Sequence, residues 1–204
     1  MSTYANDSLL LLQWPVNLAV SHPAILKLLL QYLPDPRAFK GVVERAVVAG
    51  SLESVKMLLA AGLSVEDRNG GVFSPLTSAI REDRRDMVRY LLDEAGADVN
   101  SPGEHLPLVK AIRRHRGHET EVIEMLLVRG ADINLMYRGW NAVMQAVENA
   151  DADVLRILIA KGNPVDLSAR DDAGRSIMEI ITSRGFDEAT SILAGGNGGA
   201  EDRR

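Results

Sequence analysis

The sequence predicts an all-α fold: a solenoid of about six helix-turn-helix repeats joined by short hairpin or loop connections. Two spacings and one legible stretch predict it. Small residues recur at Ala19, Ala46, Ala79, Ala111 and Ala146, with Ile180 in the same place, at steps of 27, 33, 32, 35 and 34 residues. Apolar pairs recur at Leu29/Leu30, Leu58/Leu59, Leu91/Leu92, Leu126/Leu127, Leu158/Ile159 and Ile192/Leu193, at steps of 29, 33, 35, 32 and 34. Two independent rulers thus give one period of about 33 residues. The stretch 74–100, SPLTSAIREDRRDMVRYLLDEAGADVN, shows what one period contains. A Pro at a helix start precedes a small apolar face (Leu76, Ala79, Ile80), a polar turn follows, then a second apolar stripe (Met87, Val88, Leu91, Leu92), a glycine stop at Gly96 and an extended arm.

Taken in order, residues 1–13 read as a polar lead ending in Leu9–Leu12, the remnant of an earlier outer helix that covers the exposed end of the first repeat; the alternative is that the chain is a piece of a longer repeat array. The repeats follow at about 14–40, 41–73, 74–105, 106–140, 141–174 and 175–196, and 197–204 read as a flexible tail. Repeat one is the shortest. Pro23 fits the first turn of its second helix, and Pro34 and Pro36 replace the glycine stop. Repeat two has Gly50 at the inter-helix turn, Gly62 as stop, and the turn signal Asn69-Gly70-Gly71 at its hairpin tip. Repeat three carries one extra residue between Leu92 and Gly96, which predicts a bulge at that helix end. Repeat four carries three extra residues within RRHRGHET, placed in the inter-helix turn because both flanking stripes stay in phase. Repeat five stops at Gly162, and repeat six has no following hairpin.

These residues resemble the ankyrin-repeat family. Its helix-opening T-P-L-H-x-A appears as WPVNLA (14–19), SPLTSA (74–79) and LPLVKA (106–111), and more loosely as NAVMQA (141–146). Its G-A-D-V-N close appears as GADVN (96–100) and GADIN (130–134). The histidine of the family motif is missing: its places hold Asn17, Glu44, Thr77, Val109, Met144 and Met178. In that family the side chain helps hold neighbouring repeats by hydrogen bonds, so the resemblance implies less regular contacts here, and a marginally stable stack with fraying ends is expected.

Composition limits the function classes. Apolar residues make up 46% and charged residues 25% of the 204, the balance of a folded chain, while aromatics at 4% leave the core to Leu, Ile, Val and Ala. A net charge of −5 does not favour a nucleic-acid partner. With no cysteine, disulfides and thiolate metal sites are excluded. No apolar run approaches the ~18 residues of a membrane span, and Leu9–Leu12 lacks the basic flank of a signal peptide. An intracellular protein, cytoplasmic or nuclear, is expected. There is no G-x-S-x-G elbow, and the glycine-rich segment 195–199 lacks the Lys of a phosphate loop. His115, His118 and Glu119 have spacings a metal could use on a helix, but they sit in a predicted turn beside arginines. No catalytic residue, metal or cofactor is expected.

Stacked helix pairs bury their apolar faces against each other and leave a surface suited to a protein partner. The resemblance implies the same, with contacts from hairpin tips and the ends of first helices. The tip positions are Arg68, Phe73, His105, Tyr137, Arg138, Trp140 and Asp171. The helix-end positions are Ser21, His22, Arg81, Glu82, Arg113, Arg114, Glu148 and Asn149. The expected partner-binding set is Phe73, Arg81, His105, Arg113, Arg114, Tyr137, Arg138, Trp140, Glu148 and Asn149. Aromatics and Arg are enriched in binding hot spots, and Phe73, Tyr137 and Trp140 lie outside the helix stripes. A monomer binding one protein partner is the first reading. Its rivals are a regulatory or inhibitory subunit that docks an acidic partner through the Arg-rich turns of repeats three and four, and an enzyme with a shallow site in the groove.

Overall fold

Prolines and small polar residues decide where the helices begin. The computed structural model describes residues 14–33, 35–68, 72–115, 117 and 119–197. The expectations for residues 1–13, Pro34, Asn69–Gly71, Arg116, His118 and 198–204 fall outside those residues. Helix α1 occupies residues 14–19, and α2 spans Pro23–Tyr32. A 3-10 turn at Pro36–Ala38 follows. Next come α3 (Val42–Ala49), α4 (Leu52–Ala60), α5 (Pro75–Arg81) and α6 (Arg85–Asp93). The remainder are α7 (Pro107–Arg114), α8 (Glu121–Val128), α9 (Ala142–Glu148), α10 (Ala152–Lys161), α11 (Ile177–Arg184) and α12 (Glu188–Asn197). Pro23, Pro75 and Pro107 all stand in a first turn, where the missing N–H costs no hydrogen bond. Ser51, Asn141 and Asp151 cap α4, α9 and α10 by accepting a bond from a backbone N–H inside the first turn. Ser74 and Ser176 do the same within reciprocal capping boxes, with Thr77 and Glu179.

The chain divides into two compact units, Met1–Glu104 and His105–Arg204. In the first, α3 packs against α4 and α5, α5 against α6, and α2 against α4. In the second, the first helices α7, α9 and α11 lie side by side, as do the second helices α8, α10 and α12. The short side chains Ala46, Ala79 and Ala146 are fully buried, which lets first helices approach closely. Leu58, Leu91 and Leu158 stand seven residues after their N-caps and are fully buried. Leu29 stands at the same position in α2 and is only half-buried. Trp14, Leu18, Ile25, Leu28 and Tyr32 of this first helix pair are 53–81% exposed.

Two irregularities expected from spacing are present. After α6, the N–H of Ala97 bonds the carbonyl of Leu91, six residues back, whereas Leu63 and Ala131 bond the carbonyls five back. The extra residue is therefore absorbed at the helix end. The connection between α7 and α8 has six residues, 115–120, against three between α9 and α10. The register of the last repeat is corrected. Ser176 caps α11, so counting from the cap puts Glu179, not Met178, at the family's histidine position. Helix α12 also runs to Asn197, one residue into the expected tail.

The connections lock onto one another within each unit. The N–H of Asp98 donates to Glu66 Oε1 at 3.0 Å, and Arg68 donates to Ser101 Oγ at 2.6 Å and to the carbonyl of Pro102. Further on, Asn134 Nδ2 donates to the Pro164 carbonyl at 2.7 Å while its Oδ1 accepts from the N–H of Asp166 at 2.9 Å. Gly162 allows a close approach: a Cβ there would sit 2.5 Å from the Leu158 carbonyl oxygen and 2.6 Å from Ile133 Cγ2. Extended hairpin pairing is reduced to isolated bridges among the described residues, Tyr137 with Trp140 and Arg170 with Ser176.

Candidate partner-binding surface

The expected contact residues fall in both units, and each group is built differently. In the first unit, Phe73 is half-buried and its ring lies under the Arg81 guanidinium, 4.6 Å from the centroid. Arg81 also bonds Glu82 at 2.8 Å and stands 3.8 Å from Glu44. Glu44 is 4% exposed and accepts a 2.7 Å bond from Ser78 Oγ. Burying a carboxylate requires such partners, so Arg81 is tied into the packing of α3 against α5. Arg68, a tip position, is occupied in linking two connections.

In the second unit the hairpin Tyr137–Trp140 opens α9. The two residues exchange backbone hydrogen bonds of 3.0 and 3.2 Å. Arg138 and Gly139 turn the chain with φ of 51° and 71°, the left-handed pair that a two-residue hairpin loop needs. A Cβ on Gly139 would run into Asp172, so glycine is required there on both counts. Arg138 is exposed and its guanidinium lies 5.3 Å from the Tyr137 ring centroid. Tyr137 and Trp140 are each half-buried, with one part seated and one part open. At the other end of α9, Asn149 donates to the Ile112 carbonyl at 3.3 Å and accepts from Gln145 at 2.9 Å. Glu148 pairs with Arg184, and its Oε2 is buried without a partner. Seven residues of helix separate the two groups, about 10 Å. Asn149 thus brings the end of α9 to the end of α7, where Arg113 and Arg114 are exposed. His105 is half-buried and has a partner of its own.

Three placements differ from expectation. Arg113 and Arg114 belong to the last turn of α7, not to the turn after it, and Arg81 likewise ends α5. His115 points inward: its side chain is 4% exposed, with Nε2 3.4 Å from Asp151 and Nδ1 3.3 Å from the Glu119 carbonyl. Asp171 is a buried structural carboxylate. It accepts from the N–H groups of Ala173 at 2.9 Å and Arg175 at 2.8 Å, and pairs with the Arg175 guanidinium at 2.7 Å. Burial pushes its carboxyl up, but the Arg175 and Ala173 bonds together outweigh burial and hold it below the ordinary carboxylate range. Glu179 is held low as well, first by the N–H and then by the hydroxyl of Ser176. Asp67 is the opposite case: burial pushes it up, although it accepts from the N–H groups of Gly41, Val42 and Val43 at the start of α3.

Sequence reasoning missed the exposed apolar side chains of α1 and α2.

Helix pairs stacked in this order within each unit, several with capped starts and with interlocked connections, define a helical-repeat scaffold. A family model described as ankyrin repeats, in three copies, matches residues 16–103 and 108–202. The chain belongs to the ankyrin-repeat family and has its all-α solenoid fold. Such domains generally mediate protein–protein interactions. The chain is similar to the crystal structure of the ankyrin repeat domain of Bcl-3, described as a unique member of the IkappaB protein family. There the TM-score is 0.71 at 25% identity, over 87% of this chain and 81% of that one. It is 33% identical over 130 residues to the putative palmitoyltransferase ZDHHC13 of Danio rerio, which is 60% of this chain and 19% of that protein. It is 32% identical over 98 residues to the ankyrin repeat, SAM and basic leucine zipper domain-containing protein 1 of Mus musculus, 47% of this chain and 20% of that protein. The matched stretch therefore spans about a fifth of these relatives' own length. No helix among the described residues is long and apolar enough to cross a membrane.

Proposed function

We propose that the chain is a non-catalytic interaction module that holds a protein partner on the concave face expected of such repeats, through its hairpin tips and first-helix ends. The observation that carries this is the Tyr137–Trp140 hairpin. Its turn is closed by two backbone hydrogen bonds, its aromatic residues are half-buried, and Arg138 is exposed beside them. Large rings already fixed in place lose little entropy when a partner covers them. Phe73, half-buried under the Arg81 guanidinium, adds an aromatic in the first unit, and His105, Glu148 and Asn149 complete the polar rim. A monomer acting inside the cell, in the cytoplasm or the nucleus, belongs to the same reading. The enzyme alternative has less support, because the perturbed carboxylates Asp67, Asp171 and Glu179 are all engaged by N–H groups of helix starts or turns.

The test is capture of a partner from a cell lysate on immobilised protein, followed by affinity measurement. Trp140→Ala should weaken binding by about tenfold or more while far-UV circular dichroism stays unchanged. If helicity collapses instead, Trp140 is structural, and Tyr137→Ala becomes the deciding variant. Full affinity in both variants, with the helices intact, overturns the reading.

A further inference from the structure

We infer that the exposed end of α7 is a docking point for an acidic protein segment, with Arg113 and Arg114 as the residues that hold its carboxylates. This rests on the reading of the chain as a protein-binding module and names the chemistry of what it binds.

The two arginine groups that the sequence offers are not equivalent. In the first unit Arg81 is spent on Glu44, Glu82 and the Phe73 ring. Arg85 pairs with Asp83 at 3.5 Å, and the Arg84 guanidinium lies against Gly50. In the second unit Arg156, Lys161, Arg170, Arg175 and Arg184 are each ion-paired, and Arg138 lies over Tyr137. Lys110 and Arg129 also have partners. Among the described residues of this unit, Arg113 and Arg114 alone are cations with none, and both are exposed.

The acids that could have neutralised them are committed elsewhere. Asp151 caps α10 through the Val154 N–H at 3.0 Å and faces His115. Glu148 holds Arg184. The negative end of the helix dipole favours a cation in the last turn, which accounts for one arginine. It does not account for two neighbours left unpaired in a chain of net charge −5. Guanidinium groups match carboxylates through paired N–H donors, and two of them side by side match a segment with two or more Asp or Glu residues.

The probe is a fluorescein-labelled peptide of alternating Glu and Gly, read by anisotropy at 50 mM and 300 mM NaCl. Wild type should bind it, with a marked loss of affinity at the higher salt. Arg113→Glu with Arg114→Glu should lose at least about tenfold, while Lys27→Glu, an exposed cation of the first unit, should change nothing. Arg113→Lys with Arg114→Lys should keep part of the affinity, since the charge remains and the fork is gone. Equal binding by the Glu variant, binding indifferent to salt, or tighter binding of a single-stranded oligonucleotide than of the peptide overturns the inference. A captured partner that is lost in Trp140→Ala but retained by the Glu variant overturns it too, and leaves the broader function standing.

Discussion

Single carboxylates in this chain act as fasteners, and their protonation has a calculable sign. Asp171 and Glu179 are depressed in the folded protein. Such groups stabilise the fold above their unfolded pKa, and that contribution is lost as pH falls through the folded value. Asp67, pushed up, acts with the opposite sign, because the folded state takes its proton more readily than the unfolded chain. Asp171→Asn should therefore destabilise the protein at pH 7, and its deficit relative to wild type should shrink as pH drops below about 4. Urea melts at a series of pH values measure this, and a deficit constant from pH 7 to pH 2 would contradict it. This role was not legible in the sequence, where Asp171 reads as a tip residue. Nothing local announces that its own loop folds back to enclose it.

At the scale of the helix, leucines of second helices differ in what covers them, and Leu29, at the cap distance of Leu58, is itself only half-buried. Leu58 and Leu28 are both second-helix leucines, yet Leu58 is fully buried and Leu28 is 55% exposed. Leu58→Ala should cost about 2–5 kcal/mol through lost transfer energy and the cavity left behind. Leu28→Ala should stay within about 0.5 kcal/mol. Thermal melts of the two variants compare them directly, and equal losses would place Leu28 in the core. The helix pairs themselves were legible, because a 33-residue period, Pro at helix starts and Gly at stops all act locally. The register of α11 was not. Ile180 and Ile181 are both buried, so spacing alone could not choose between them, and only the Ser176 capping box settles the frame. For the candidate surface, the sequence located the tips and helix ends, but not which arginines are occupied. That depends on acids 32–37 residues away, such as Glu44 for Arg81 and Glu148 for Arg184.

Across the whole chain, a repeat fold sums its stability from neighbours, so the pairs at either end hold fewer contacts than those between. Hydrogen exchange should be slowest in α3–α5 and α7–α10 and fastest in α2 and α12, and uniform protection throughout would refute this. Of the residues that stand where the family has histidine, Thr77, Val109 and Met144 serve the capping box and the core, while Glu44 departs from expectation by accepting a bond from Ser78 of the next first helix. The six-residue link between α7 and α8 has a separate consequence. The apolar stripes of α7 and α8 are buried on both sides of the longer link, so length added there is not passed on to the pairs on either side. The chain can thus present foreign sequence at Gly117 as a display scaffold does, with the graft outside and the pile of helices undisturbed.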